Sequence, residues 1–441
     1  MQEKTERKQQ LIVQVNNRYL FKAHEKESYM IDSDLFHSIC KKIDTYTDEM
    51  VALQIGLTAI PALAPESGGD GEKKKADYLL HYLQESGFKE ITSYPAPDSR
   101  TSSGIRPNLV TVIPGRAKDR TVWIITHIDV VPPGEPSLWR GNPYEAYLEN
   151  GKIFGRGTED NQQDLVASIF AAKVFIDEGI TPECNIGLAF VADEETGSLK
   201  GLGHLLENDK NIFKKSDIIV VPDFGNDEGS AIEIAEKSIL WLRFKTRGKQ
   251  CHASVPALGK NAFAAASHLV VELNDLYRRF GDTDSLYDPP GSTFEPTKKE
   301  ANVPNINTIP GEDVFYLDCR ILPHYPLAEV MCAIEEMVKS IEHQWGVTIE
   351  ISPVQQVQAP APTPEDAPVV KALLEAVKRV RGITAVPVGI GGGTVAALFR
   401  KNNFPVAAWS KVNRMAHQPN EYCLLEDMVA NAKVFAHLFI S

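Results

Sequence analysis

The chain has 441 residues, of which 43% are hydrophobic and 24% charged, a balance typical of a folded globular protein and not of a disordered one. The formal net charge of −13 disfavours the broad basic surface of a nucleic-acid-binding protein, and no apolar run approaches the ~20 residues that cross a bilayer. The six cysteines form no CxxC pair, which favours a reduced cytoplasmic protein over a disulfide framework or a thiolate zinc site.

Apolar strand patterns alternate with helix patterns over the first half of the chain. Residues 1–31 precede them as a polar extension, whose apolar run at 11–13 is too short for a signal peptide. Helices are predicted over 34–57, 73–86 and 165–178, and strands over 122–125, 186–192 and 218–221. Apolar strands separated by helices predict an α/β fold built on a mostly parallel central sheet.

The pattern changes near residue 237, where the predicted order of elements becomes β-α-β-β-α-β. Strands are predicted over 240–246, 303–309, 313–321 and 347–351, with helices over 261–277 and 327–343. This order is that of a ferredoxin-like module. A proline-rich stretch leads out of it, and Thr363 followed by Pro364 predicts the start of the next helix. We therefore predict a discontinuous domain, 32–236 with 353–441, interrupted by a smaller domain at 237–352.

Three predicted strands run into potential metal ligands: His127 and Asp129, Glu194 and Glu195, and Asp223. Open α/β sheets bind ligands beyond the carboxyl ends of their strands, so these side chains should converge in one crevice. Histidine and carboxylates without cysteine suit catalytic zinc, cobalt or manganese. On a strand His127 and Asp129 face the same side, so one would bind metal while the other orients it. The two adjacent glutamates project differently, which would allow one to bind metal and the other to move protons.

Each of these features has an ordinary explanation when it is taken alone. A His-x-Asp pair is usually a local hydrogen bond, a Glu-Glu pair is usually a solvated face, and a single aspartate often caps a helix. Their common position at three strand ends is what favours a single metal site.

The motifs THIDVVPPG, GRGTEDNQQ and VADEETGS, followed by GKQCHAS and AHQPNE, resemble in order and spacing those of the M20 family of di-zinc amidohydrolases. The resemblance covers about residues 32–441. It implies a catalytic α/β domain interrupted by a ferredoxin-like lid that is often the dimer contact, and hence a homodimer. It also implies two divalent metal ions per subunit, zinc in the first place, with cobalt or manganese as alternatives.

The resemblance assigns five metal ligands by position. His127 and Asp223 would bind one ion, Glu195 and His417 would bind the other, and Asp160 would bridge the two. A non-proline cis peptide is often found in this family directly after the bridging aspartate.

The same resemblance assigns three further residues to catalysis. Asp129 would orient His127, and Glu194 would be the general base. His252, on the inserted module, would reach the active site of a neighbouring subunit and stabilise the oxyanion, a role that suits a donor imidazole.

Family members bind a substrate carboxylate near the lid with an arginine, an asparagine and a glycine-rich loop. The matching residues in this chain are Arg320, Asn307, Gly391, Gly392, Gly393 and Thr394. A guanidinium fork suits a carboxylate, and consecutive backbone N–H groups form an anion-binding nest. Asn305 competes with Asn307, which we prefer because Ile-Pro-Gly follows it at the family's spacing.

The sequence therefore predicts a di-metal hydrolase that cleaves an amide bond next to a free carboxylate, in a short peptide or an N-acyl amino acid. A deacylase of the succinyl-diaminopimelate type is the alternative to a peptidase. An inactive binding protein of the same fold would be expected to lack Glu194 or a ligand, and a two-metal aminopeptidase of another family would lack the ferredoxin-like insert. Serine hydrolases and single-zinc helical proteases are disfavoured because GxSxG and HExxH are absent.

Overall fold

The computed structural model describes residues 33–441, so the predicted extension at 1–31 lies outside the described residues. The helices are α1 (Ser33–Asp44), α2 (Thr47–Thr58), α3 (Lys73–Glu85), α4 (Gln163–Asp177), α5 (Leu202–Asn208), α6 (Ala262–Glu272), α7 (Leu276–Arg279), α8 (Leu327–Trp345), α9 (Pro368–Arg381), α10 (Ala396–Lys401) and α11 (Leu425–Phe439). Within 33–441, every helix is too short or too polar to pass through a lipid bilayer.

Short and long strands alternate with these helices. They are β1 (Ile91–Ser93), β2 (Ala96–Pro97), β3 (Ile105–Arg106), β4 (Leu109–Ile113), β5 (Ala117–His127), β6 (Tyr147–Glu149), β7 (Lys152–Phe154), β8 (Cys184–Val191), β9 (Ile218–Asn226), β10 (Ala231–Glu236), β11 (Ser238–Arg247), β12 (Cys251–His252), β13 (Thr293–Lys299), β14 (Thr308–Ile309), β15 (Glu312–Ile321), β16 (Thr348–Val357), β17 (Val386–Ile390), β18 (Val406–Lys411) and β19 (Tyr422–Leu424).

The central sheet has the strand order β1-β4-β8-β5-β9-β18-β10-β17. Its middle strands β8, β5, β9 and β18 run parallel to one another, and β10 runs parallel to β17. The contacts of β1 with β4, of β4 with β8 and of β18 with β10 are antiparallel. The prediction of an α/β fold on a mainly parallel sheet is confirmed.

Helices cover both faces of this sheet, because strand β5 is apolar on both sides. Val122 and Ile124 pack into the core that contains α4 and α11, whereas Trp123 and Ile125 pack into a second core with α5 and α10. A strand buried on two faces is a continuous apolar run, which is why it could be found in the sequence. The carboxyl end of this buried strand is His127.

The second sheet is antiparallel with the order β13-β15-β11-β16, and α6 and α8 share its hydrophobic core. This is the ferredoxin-like arrangement that was predicted. Strand β10 ends at Glu236 and β11 begins at Ser238, while β16 continues to Val357. The domain boundaries at 237 and 352 remain a proposal.

The second strand of this sheet was predicted at the wrong place. It is β13, over Thr293–Lys299, and not residues 303–309, of which only Thr308–Ile309 is extended and pairs with β12. β13 is an edge strand with one buried side chain, Phe294, so no apolar run marks it. The predicted segment alternates apolar and polar residues, yet its Ile306 is fully exposed.

Two helix boundaries also differ from the prediction. The helix expected over 34–57 is broken at 45–46 into α1 and α2. The helix expected from Thr363 begins at Pro368, because the Thr363 hydroxyl donates a hydrogen bond to the Val406 carbonyl oxygen at 2.7 Å and does not cap the helix. Proline still occupies the first helical position, as its fixed φ favours.

Candidate metal centre

Five side chains that the sequence assigned to metal binding meet at the carboxyl end of the central sheet. His127 is the last residue of β5, Asp223 lies near the end of β9, and Glu195 is in the short turn after β8. Asp160 lies just before α4, and His417 lies in the loop that follows β18. The fold therefore brings together residues from five separate parts of the chain.

Asp160 lies between two groups of candidate metal ligands. Its Oδ1 lies 3.0 Å from His127 Nε2, and its Oδ2 lies 3.1 Å from His417 Nε2. Asp223 Oδ1 is 3.6 Å from His127 Nε2, and Glu195 Oε2 is 3.2 Å from His417 Nε2. The donor atoms of each group of three, with Asp160 in both, all lie within 4.8 Å of one another. One carboxylate thus presents a separate oxygen to each of two sites.

These residues fit a pair of divalent cations. Glu195 Oε2 faces His417, but its Oε1 is buried and has no hydrogen-bond partner among the described residues, so one acceptor of this carboxylate is unsatisfied. Burying unpaired carboxylates is costly, and a bound cation removes that cost. Two imidazoles and three carboxylates without a thiolate are donors that suit a catalytic site for zinc or a similar ion.

The two imidazoles are strongly stabilised as cations by the same carboxylates. Hydrogen bonds to Asp160 and Glu195 raise the pKa of His417 to about 10. Burial alone would lower the pKa of His127, but hydrogen bonds to carboxylates, including Asp160 and Asp223, raise it well above its usual range. A metal ion that binds either nitrogen must displace a proton, so metal affinity should increase with pH.

Asp129 belongs to neither ligand group, but it contacts His127 and the turn that carries Glu194 and Glu195. Its two carboxylate oxygens accept the backbone N–H groups of Glu194 and Glu195, each at 3.1 Å. His127 Nδ1 lies 3.0 Å from the Asp129 carbonyl oxygen and 3.4 Å from its carboxylate. Burial, together with the charge of Asp223, raises the pKa of Glu194 well above its usual range. Asp129 therefore positions both a ligand histidine and the turn that carries the two glutamates.

The cis peptide implied by the resemblance is present between Asp160 and Asn161. The loop before it is held by Glu421, a fully buried carboxylate that analysis of the sequence did not single out. Glu421 accepts the backbone N–H groups of Gly157, Glu159 and Asp160 at 3.0, 2.9 and 3.1 Å. Gly157 has a φ of +85°, in the left-handed region that favours glycine.

Glu159 is the second buried acid that the sequence analysis missed. Its side chain accepts the backbone N–H groups of Asn413, Met415 and Ala416, the last at 3.0 Å. These residues directly precede His417, whose φ of +63° is itself unusual for a residue other than glycine. Glu159 lies within the motif GRGTEDNQQ and Glu421 ends the motif AHQPNE, but the sequence analysis assigned a role to neither acid.

Glu159→Ala should weaken binding at the site that contains His417 by about 10- to 100-fold, as is typical when a group that orients a ligand is lost. Titration of the metal-free protein with zinc, followed calorimetrically, measures this affinity. The matched control is Glu149→Ala, which removes an exposed glutamate of β6. Equal affinities for the two variants would contradict an anchoring role for Glu159.

His252 lies apart from the ligand groups in the structure of the single chain. It is exposed at the end of β12, where it pairs with Thr308, and its Nδ1 lies 2.7 Å from the Ser254 hydroxyl oxygen. Among the hydrogen bonds within 33–441, none joins His252 to the metal ligands. Its role in catalysis remains a prediction.

The Arg320 guanidinium donates hydrogen bonds to two residues. Its Nε and Nη2 donate to the Asp318 carboxylate at 2.7 and 3.1 Å, and its Nη1 donates to the Gly391 carbonyl oxygen at 2.8 Å. The arginine of the second sheet therefore contacts the glycine-rich loop that follows β17. The structure brings these two predicted substrate-binding elements together.

The other predicted substrate-binding residues are more dispersed. The Asn307 carbonyl oxygen accepts the Ala253 N–H at 2.9 Å, next to His252 in the small two-stranded sheet. The hydroxyl oxygen of Thr394 accepts the Ala396 N–H at 3.2 Å at the start of α10. A Cβ added at Gly391, Gly392 or Gly393 would meet no atom within 4 Å among the described residues, so the loop borders open space.

Comparison with known proteins shows what this chain is similar to. A model of peptidase family M20/M25/M40 matches residues 123–441. An uncharacterised metallohydrolase of Methanocaldococcus jannaschii is 42% identical over 405 residues, which cover 88% of this chain and 98% of the relative. A succinyl-diaminopimelate desuccinylase of Rickettsia bellii is 25% identical over 84% of this chain and 91% of its own length. The structure of aminopeptidase PepT from Bacillus cereus matches 89% of this chain and 98% of its own, with a TM-score of 0.71 and 18% identity, a likeness of fold.

Proposed function

Since this chain belongs to peptidase family M20/M25/M40 and is a metallohydrolase acting on C–N bonds, we propose that it uses two divalent ions to cleave an amide bond beside a free carboxylate. The observation that carries the proposal is Asp160, whose two oxygens each face a different histidine, at 3.0 and 3.1 Å. We propose zinc as the native metal, with cobalt or manganese as alternatives.

His127, Asp160 and Asp223 would hold one ion, and Asp160, Glu195 and His417 would hold the other. When bound, the ions supply Lewis-acid activation of a water molecule and of the scissile carbonyl group. The three ligand carboxylates leave the pair of ions with a net positive charge, which suits an anionic substrate.

Glu194 is the proposed general base. Its backbone is fixed by Asp129, and its carboxyl group interacts with that of Asp223. Burial raises the pKa of Glu194, and a carboxylate placed there can accept a proton from the attacking water and deliver it to the leaving nitrogen. Cations held by the neighbouring ligands would lower the pKa of Glu194 and favour its ionised form before the reaction.

The free carboxylate of the substrate is assigned to the region where Arg320 meets the glycine-rich loop. Arg320 uses three of its five N–H hydrogens on Asp318 and Gly391, so it keeps two for a ligand. Its orientation is set by these contacts and by the ring of Trp241, 5.5 Å away. The open space beside Gly391 leaves room for an anion at the backbone of the loop.

A screen of the metal-reconstituted protein tests this function and decides between a peptidase and a deacylase. Dipeptides and N-acyl amino acids are offered side by side, each also as the C-terminal amide. We expect hydrolysis of at least one carboxylate series, a large loss with its amide counterpart, and no hydrolysis after chelation until metal is restored. Metal-independent turnover, or equal turnover of acids and amides, would contradict the proposal. Binding without turnover in both series would favour the inactive binding protein.

We propose a cytoplasmic homodimer formed through the ferredoxin-like domain, in which His252 contributes to the partner's active site. His252→Ala should then lower kcat strongly with little change in the thermal unfolding temperature, because the side chain is exposed. Mixing it with Asp160→Ala should restore activity, since each hybrid dimer contains one site with both residues. Absence of recovery in a mixture shown to exchange subunits would contradict donation across the dimer.

A further inference from the structure

A cavity of about 240 Å³ opens directly beside the candidate metal centre. Asp160 and Asp223 form one part of its wall, and Phe224, Val412 and Arg414 form much of the remainder. The first two residues belong to the group assigned to one metal ion, so a substrate held there could extend into the cavity.

Among the described residues that line this cavity, Arg414 is the one with a cationic side chain. Its side chain is 71% exposed, and its guanidinium pairs loosely with the exposed Asp227, with 3.6 Å between Nη2 and Oδ1. An exposed pair of this kind contributes little stability. The guanidinium is therefore free to turn from Asp227 to a ligand without a large penalty.

The backbone that carries Arg414 is held firmly although the side chain is not. Glu159 accepts the N–H groups of Asn413 and Met415 on either side of it. Arg414 itself has a φ of +58°, and its carbonyl oxygen accepts Gln418 Nε2 at 2.6 Å. Arg414 thus extends from a fixed point three residues before His417, at the rim of the cavity.

Arg320 and Arg414 differ in how many of their donors are in use. Arg320 is bound to Asp318 and to Gly391, whereas the Arg414 guanidinium has only the loose pair with Asp227 among residues 33–441. The other charged residues of the described wall are acids, so Arg414 is the cation there that could pair with a negatively charged group.

We propose that Arg414 is a specificity-determining residue, which binds a second negative group located on the acyl side of the scissile bond. The substrates would then be N-acyl amino acids whose acyl chain ends in a carboxylate, or dipeptides that begin with an acidic residue. This inference rests on the proposed function, in which Arg320 and the glycine-rich loop take the carboxylate on the amine side.

Matched substrates that differ only in this charge test the inference. An N-succinyl amino acid is compared with its N-succinamoyl counterpart, and an aspartyl dipeptide with the asparaginyl one, each in metal-reconstituted protein. We expect the wild type to favour the acidic member of at least one pair by about tenfold or more in kcat/KM, as a charge-assisted bidentate contact provides. Arg414→Ala should bring that ratio close to one, chiefly through a higher KM for the acidic member.

Two further variants separate a local effect from a general loss of positive charge. Arg116→Ala removes an arginine that is similarly exposed and pairs with Glu183 at 3.4 Å, and it should keep the wild-type ratio. Asp227→Asn frees Arg414 from its partner and should keep or raise the ratio.

A wild-type ratio near one, or an unchanged ratio in Arg414→Ala, would overturn the inference while leaving the proposed function intact. Failure of the wild type to hydrolyse any of the four substrates or the compounds of the wider screen would overturn the proposed function itself.

Discussion

Glu194→Gln should lower kcat by about 10²- to 10⁴-fold, the range that a positioned general base contributes, while metal content stays near that of the wild type. Glutamine keeps the size of the side chain and removes its ability to accept a proton. The backbone N–H of Glu194 donates a hydrogen bond to the Asp129 carboxylate at 3.1 Å, and this bond does not involve the side chain that is changed. Steady-state kinetics together with elemental analysis of the purified protein measure both quantities.

The neighbouring variant Glu195→Gln serves as the contrast. Glu195 Oε2 lies 3.2 Å from His417 Nε2, so this change removes a charged ligand of one proposed ion and should reduce metal content as well as rate. Two adjacent glutamates would then give opposite results in the metal measurement. Turnover of Glu194→Gln at the wild-type rate would remove the proposed proton transfer.

Asp160→Ala should abolish detectable activity because it removes the carboxylate shared by both ligand groups. Elemental analysis should show a loss of both ions, whereas Glu195→Gln should lose mainly one. Zinc that binds only the folded state raises its thermal stability, so the wild type should gain several degrees on adding zinc and Asp160→Ala should gain little. Full metal occupancy in Asp160→Ala would contradict bridging.

Asp160→Asn refines the same test. Asparagine keeps one carbonyl oxygen as a ligand and loses the negative charge that faces His127 and His417. We expect an intermediate metal affinity that exceeds that of the alanine variant.

The central sheet could be predicted because its strands are buried on both faces. Val122, Trp123, Ile124 and Ile125 form an unbroken apolar run that requires helices on each side. The edge strand β13 carries no such run, and its location depends on pairing with β15, which local sequence does not encode. The start of α9 was misplaced because the Thr363 hydroxyl found a partner in a distant strand.

The convergence of the candidate metal ligands could be predicted for a related reason. His127, Asp223 and Glu195 follow apolar strands, and strand ends in a parallel sheet meet at one edge. Glu159 and Glu421 act through backbone N–H groups of loops whose course is defined only in the folded chain. Both acids lie within the motifs GRGTEDNQQ and AHQPNE, but their partners are backbone groups, so their role did not follow from the sequence.

Glu159 and Glu421 each fix the chain segment that lies next to the other. Glu159 belongs to the segment before α4 and binds the one that leads to His417, while Glu421, which follows His417, binds the segment before α4. The segment before α4 and the segment around His417 therefore depend on each other for their positions. Grafting either loop alone onto another scaffold should give a misaligned ligand, and insertions in one should be tolerated only when the other changes with it.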